Sequence, residues 1–240
     1  MQSAGFRALG LEWSYELLDV AAAELRAAVE RLRDPAVAGA NVTIPHKQAV
    51  MERLDELDPQ ALRARAVNTI VNRSGRLVGS NTDVAAIADT VDAVGVSIRQ
   101  ARVVVLGTGG SARAAGVALA GAHLTFVSRH ANGTDLPGTL IGWDDPSLPG
   151  AVRAADLLVN ATPLGRHGEM PVRPAALPQA GAVIDLVYVT GGTPLVRKAR
   201  SLGLRVADGW GVLLAQGVRS FEMWTGRAAP VDAMRETLQP

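Results

Sequence analysis

Apolar and polar positions run along this chain in two rhythms. Short apolar runs suited to strands take turns with stretches of helical period, and that order predicts an α/β protein. Residues 13–20, Trp-Ser-Tyr-Glu-Leu-Leu-Asp-Val, read as a strand, and the Ala/Leu/Glu/Arg pattern of 21–32 reads as a helix closed near Pro35. A strand is expected over 38–44, a helix over 46–54, strands around 67–72 and 76–80, and a helix over 83–94. The rhythm restarts at Arg102-Val-Val-Val-Leu-Gly, an unbroken apolar run of the kind buried on both faces of a parallel sheet. Strands at 124–128, 157–160 and 183–186 continue it as parallel βαβ winding. From Gly209 to Trp224 the chain reads as one long helix crossing back to the first part.

Composition narrows the partners. At 240 residues, with 48% apolar and 20% charged content, the chain can bury one large core or two small ones. Twenty-four basic residues against 23 acidic leave +1, with no block of like charge to suit nucleic acid or an anionic membrane, so a small molecule is the expected partner. Cysteine is absent, which excludes disulfides and thiolate metal sites. The histidines at 46, 123, 130 and 167 lack ligand spacing, so no metal is expected. No apolar run reaches spanning length and the first residues lack an export pattern, so a cytoplasmic protein is expected.

The run Gly107-Thr108-Gly109-Gly110-Ser111-Ala112 sits between an apolar strand and an Ala-rich helix, the context of the G-x-G-x-x-A dinucleotide fingerprint. Gly107 permits the tight turn, Gly109 lets backbone N–H groups approach a pyrophosphate at the positive helix end, and Ala112 allows close packing. The following strand ends in Ser128-Arg129 rather than in the acid that would bind a ribose 2′-hydroxyl. A guanidinium there favours a 2′-phosphate, so the cofactor expected is NADP. The organisation is then a substrate domain of residues 1–83, joined by 209–240 and built on a mostly parallel sheet, and a Rossmann-type NADP domain of residues 84–208.

Hydride chemistry on a carbonyl needs a proton donor for the developing alkoxide, and Lys47, just past Pro45 in Asn41-Val-Thr-Ile-Pro-His-Lys47, is the candidate. Asp83 would orient it or share its proton, while Asn41, Thr43, Asn68 and Gln216 would bond hydroxyls of a polyol. Taken singly, each also reads as a solvated lysine, a helix cap or a turn former; their joint arrival at successive strand ends points to a site.

In order, Asn41–Lys47, Ala66-Val-Asn-Thr69, Asn81-Thr-Asp83, Gly107–Ala112, Asn160-Ala-Thr-Pro-Leu-Gly165 and Asp208–Gln216 closely resemble the shikimate dehydrogenase family, over about Phe6 to Gly226. The resemblance implies reversible NADPH-dependent reduction of 3-dehydroshikimate to shikimate, with Lys47 and Asp83 as the catalytic pair. It further implies Thr43, Asn68, Gln216 and Tyr188 at the substrate and Leu186 and Gly209 beside the nicotinamide; a monomer and a homodimer are both open. Quinate as substrate with looser cofactor choice, or a nucleotide-binding protein without catalysis, are the alternatives. Three departures stand out. The family's opening strand and Ser-x-Ser loop have no counterpart before Met1, which is expected to be an internal methionine of a longer product. Val84 and Val212 replace the family's usual glycine and methionine. Its basic run after the second strand is reduced to Arg129 with His130, so weaker NADP selectivity is expected.

Overall fold

The computed structural model describes residues 1–129 and 135–238; His130 lies outside them. Two compact units are formed, Met1–Asp83 with Leu214–Pro240, and Val84–Leu213. The first holds α1 (Gln2–Ala8), α2 (Leu25–Arg31), β1 (Gly39–Asn41), β2 (Glu56–Leu57), α3 (Pro59–Ala64), β3 (Thr69–Arg73) and β4 (Arg76–Ser80). Helix α4 (Thr82–Ala93) leads into the second unit, with β5 (Arg102–Leu106), α5 (Gly110–Ala118), β6 (His123–Ser128), β7 (Thr139–Gly142), α6 (Leu148–Arg153), β8 (Leu157–Asn160), β9 (Ala182–Asp185), α7 (Pro194–Ser201) and β10 (Arg205–Ala207). Helix α8 (Gly209–Thr225) then returns the chain to the first unit, which ends in α9 (Val231–Glu236).

In the first unit the strand order is β1-β3-β4-β2. Ser74 and Gly75, both at positive φ (55° and 88°), make a two-residue turn whose twist suits a hairpin. It pairs β3 with β4 antiparallel, Arg73 opposite Arg76 and Thr69 opposite Ser80. Strand β1 joins β3 antiparallel, with Asn41 opposite Thr69, and β2 joins β4 in parallel. This sheet, expected to be mostly parallel, is therefore mostly antiparallel among the described residues, because so short a turn cannot make the crossover that parallel neighbours need. Leu25 and Val29 of α2 close over Ile70 and Leu77 in one core. Ile70 and Leu77 are essentially fully buried, and each such side chain contributes about 1.5–3 kcal/mol. A second small core joins Phe6 of α1, Phe221 of α8 and Met234 of α9, with the two phenylalanine rings 5.2 Å apart.

Two further segments of this unit depart from expectation. Residues 13–20 are not a strand. No strand among the described residues pairs with them, and alternation alone does not make a strand without a partner to take its N–H and C=O groups. Leu17 is 92% exposed as a result. Residues 46–54 are turns ending in a 3₁₀ turn at Met51–Arg53 rather than a helix. The Lys47 carbonyl accepts from Val67 N at 2.7 Å, so Met51 N turns to the Gln48 carbonyl at 3.2 Å in the tighter pattern.

The second unit is a six-stranded sheet of order β10-β9-β8-β5-β6-β7, parallel throughout. This is the doubly wound order, in which the winding reverses between β5 and β8 and a crevice opens beyond their carboxyl ends. Val104, Leu106, Leu158 and Val183 are buried under the helices, as strands covered on both faces must be. Among the described residues no helix is long and apolar enough to cross a membrane.

Candidate active site

Lys47 and Asp83 meet in the first unit. Lys47 Nζ donates to Asp83 Oδ2 at 2.6 Å, and the two side chains are only 12% and 11% exposed. The loop that carries Lys47 is held by backbone bonds at both ends, Val42 N to the Asn68 carbonyl (2.8 Å) and Val67 N to the Lys47 carbonyl (2.7 Å). Asp83 sits in the first turn of α4, where the helix N-terminus favours a negative charge. The carboxylate's other oxygen accepts from Asn68 Nδ2 at 2.8 Å. Asn68 Oδ1 in turn accepts from Thr82 N at 2.8 Å, and this fixes which end of the amide faces Asp83. An ammonium held by a carboxylate that is itself hydrogen-bonded is an arrangement suited to passing a proton at a defined point.

Asn41 is tied to its neighbours. Its Oδ1 accepts from Tyr15 Oη (3.0 Å) and its Nδ2 faces the Asn68 carbonyl, Thr69 Oγ1 and Ser220 Oγ at 3.2, 3.3 and 3.0 Å, so its amide is engaged within the protein. Burial pushes the Tyr15 hydroxyl above its ordinary pKa. Thr43 is exposed on the loop between Asn41 and Lys47. Gln216 is half-buried on α8, one turn before Ser220, whose Oγ lies 3.0 Å from the Gln216 carbonyl oxygen. No motif points to Ser220, and Thr69 enters only as the last residue of Ala66-Val-Asn-Thr69; the four-residue spacing of Gln216 and Ser220 is the signal that links that serine to the site.

In the second unit, Gly107 leaves β5 at φ 106°, and a Cβ there would lie 3.1 Å from the Ala161 carbonyl beyond β8, so the turn crosses the point where the winding reverses. Gly109 is the N-cap of α5, and a Cβ on it would meet nothing within 4 Å, which leaves its backbone open to a ligand. Gly110 and Ser111 form the first turn of α5, with Ala112 buried beneath them. Thr108 Oγ1 and Ser128 Oγ are 3.4 Å apart and tie the loop to the end of β6, where Arg129 is exposed. These residues fit a dinucleotide: an open glycine turn at a helix N-terminus, with a guanidinium at the end of the next strand.

Leu186 and Gly209 also come together. A Cβ at Gly209 would lie 2.7 Å from the Leu186 carbonyl oxygen and 2.8 Å from Tyr188 N, so only glycine lets α8 start this close. The Tyr188 ring, 42% exposed, leans on Trp210 at 5.2 Å. Beneath this loop Asp185 is fully buried and accepts from Asn160 Nδ2, Val187 N and Thr193 Oγ1 at 2.9, 3.0 and 2.6 Å. Burial pushes its carboxyl above the ordinary range against the pull of those bonds.

The family description "Shikimate dehydrogenase substrate binding domain" matches residues 1–70, and "Shikimate 5'-dehydrogenase C-terminal domain" matches residues 209–239. The shikimate dehydrogenase (NADP(+)) of Desulforamulus reducens is 38% identical over 262 residues, taking in 99% of this chain and 88% of the relative. Shikimate 5-dehydrogenase from Thermus thermophilus, solved in complex with NADP(H) and shikimate, gives a TM-score of 0.86 at 32% identity, over 98% of this chain and 91% of that one. A ligand-free 5-ketofructose reductase of a Gluconobacter species gives 0.81 at 33% identity, over 99% and 91%. Identity of this order along nearly the whole length of both partners means that the chain belongs to the shikimate dehydrogenase family.

Proposed function

We propose that the protein catalyses the reversible NADPH-dependent reduction of 3-dehydroshikimate to shikimate, a step towards chorismate and the aromatic amino acids, in the cytoplasm. The observation that carries this reading is the 2.6 Å Lys47–Asp83 pair, nearly closed to solvent and backed by Asn68, in a chain of this family. NADPH supplies a hydride to the carbonyl carbon. Lys47 stands at the carbonyl oxygen, stabilises the charge that develops there and delivers the proton; Asp83 keeps the ammonium in place, and the pair takes the proton back when shikimate is oxidised. Thr43, Asn68 and Gln216 hold hydroxyls of the substrate, with Tyr188 beside it.

The unit Val84–Leu213 serves as the NADP domain and the other as the substrate domain. Gly107, Thr108, Gly109, Gly110 and Ser111 would hold the pyrophosphate, Ser128 and Arg129 the 2′-phosphate, and Leu186 with Gly209 the nicotinamide. A second reading, another polyol such as quinate with looser cofactor choice, is favoured by one observation, the similarity to a 5-ketofructose reductase. Absorbance assays with shikimate or quinate against NADP or NAD separate the two. NADPH formation fastest from shikimate with NADP is the expected result, and faster turnover of quinate with NAD would replace the first reading with the second.

A further inference from the structure

We infer that Ser220 and Trp224 are positioning residues that fasten α8 to β3 and thereby aim Gln216, an inference that rests on the proposed role of Gln216 at the substrate. Gln216, Ser220 and Trp224 are four residues apart, so they form one stripe along α8. Two members of that stripe are bonded to consecutive residues of β3. Ser220 Oγ lies 2.8 Å from Thr69 Oγ1, and Trp224 Nε1 donates to the Ile70 carbonyl at 2.9 Å. The third member, Gln216, lies one turn further along α8, and the next residue along the strand from Thr69 is Asn68, which bonds Asp83.

The Ser220 hydroxyl is buried where β1, β3 and α8 meet, with Thr82 Oγ1 of α4 at 3.4 Å. It accepts from Asn41 Nδ2 of β1 at 3.0 Å and gives its one proton to Thr69 Oγ1 of β3 at 2.8 Å, with the Gln216 carbonyl of α8 at 3.0 Å as the competing acceptor. Thr69 Oγ1 continues the chain to Asn68 Oδ1 at 3.1 Å. Asn41, whose amide bonds this junction, belongs to the same fastening. Trp224 is seated over β1 because residue 39 is glycine: a Cβ there would lie 2.5 Å from the indole nitrogen and 2.8 Å from its Cδ1. Two polar fastenings one helical turn apart fix both the rotation and the slide of the helix, which a greasy contact alone leaves adjustable. A small slip of α8 would move the Gln216 amide away from a substrate hydroxyl, and misplacement by about 1 Å is enough to cost a large factor in rate.

The test compares Ser220→Ala and Trp224→Phe with the wild type, and adds Thr69→Val with Thr69→Ser in case the first two fold poorly. Each of Ser220→Ala, Trp224→Phe and Thr69→Val should raise KM for shikimate about fivefold to tenfold while NADPH affinity, read by fluorescence, stays within about twofold; Thr69→Ser, which keeps the hydroxyl, should restore the wild-type KM. Amide hydrogen exchange in Ser220→Ala should speed up by about tenfold both in 214–222 and in 67–70, with 102–106 unaffected. Unchanged exchange in those two segments overturns the fastening, and faster exchange with an unchanged KM overturns its role in aiming Gln216. A wild-type protein that does not oxidise shikimate counts against the proposed function instead, and the exchange measurement then still decides whether the fastening exists.

Discussion

Lys47 shows how little of a residue's role resides in the residue itself. A lysine next to a turn is ordinarily solvated; this one is nearly buried with its ammonium on Asp83, and Asp83 is held from its other side by Asn68. On the proposed mechanism, removing the ammonium takes away the proton donor. Lys47→Ala should therefore lower kcat by several decades, roughly the range of general acid catalysis and charge stabilisation together, with NADPH affinity by fluorescence nearly intact. Near-normal turnover would falsify the role given to Lys47. Arg129 is exposed at the end of β6, so the contribution proposed for it at a 2′-phosphate would be that of one charge-assisted bond, about 1.5–3 kcal/mol. Arg129→Ala should raise KM for NADPH about tenfold to a hundredfold and leave KM for NADH almost unchanged; equal changes in steady-state assays with both cofactors would remove Arg129 from the cofactor site.

At the scale of elements, the fold places functional groups where one segment passes close to another. Helix α8 begins against the loop after β9, and the missing side chain at Gly209 makes that approach possible. The atoms in the way of a Cβ are backbone, which cannot rotate aside, so Gly209→Ala must displace the loop carrying Leu186 and Tyr188. A loss of about 1–3 kcal/mol of stability is expected, measured by urea unfolding, together with a higher KM for NADPH. A neutral substitution would show that the loop yields freely and does not set the site. The same logic explains the turns at 46–54. The helical pattern of the sequence is present, but the Lys47 carbonyl is taken by Val67, and that long-range bond outweighs a local preference worth a few tenths of a kcal/mol per residue.

For the molecule as a whole, pH acts on the two units through carboxylates shifted in opposite directions. Hydrogen bonds from Arg33, helped by the Leu77 backbone, hold Asp55 below the usual range in the first unit, and Arg102 does the same for Asp156 in the second. Their stabilisation is present above pH 3.8 and is lost as pH falls further, through the folded-state values. Asp185 is the reverse case: burial raises its pKa, so the native state holds the proton more tightly than the unfolded chain, and its ionisation costs stability as pH rises through the raised value. Asp185→Asn removes that titration. Thermal melts across about pH 3 to 8 should show the wild type losing ground to Asp185→Asn as pH rises, and a difference that does not change with pH would mean that Asp185 titrates normally.

What the sequence determined by itself is whatever short-range chemistry dictates. The α/β class, the parallel βαβ run from Arg102, the glycine turn at 107–112 and the long helix from Gly209 all follow from periodicity and from residues adjacent in the chain. The motifs carrying Lys47, Asn68 and Asp83 were equally legible, because each is a few residues long. The antiparallel hairpin was partly legible, since so few residues between the strands around 67–72 and 76–80 leave no room for a crossover. The tertiary structure alone decided that residues 13–20 have no strand partner among the described residues and that Asn41 bonds its amide to neighbours inside the protein. It also joined Asn41 to Ser220, 179 residues apart in the chain. Such bonds form only when the fold brings distant segments within about 3 Å, and no local pattern of apolar and polar positions records which polar groups will then meet.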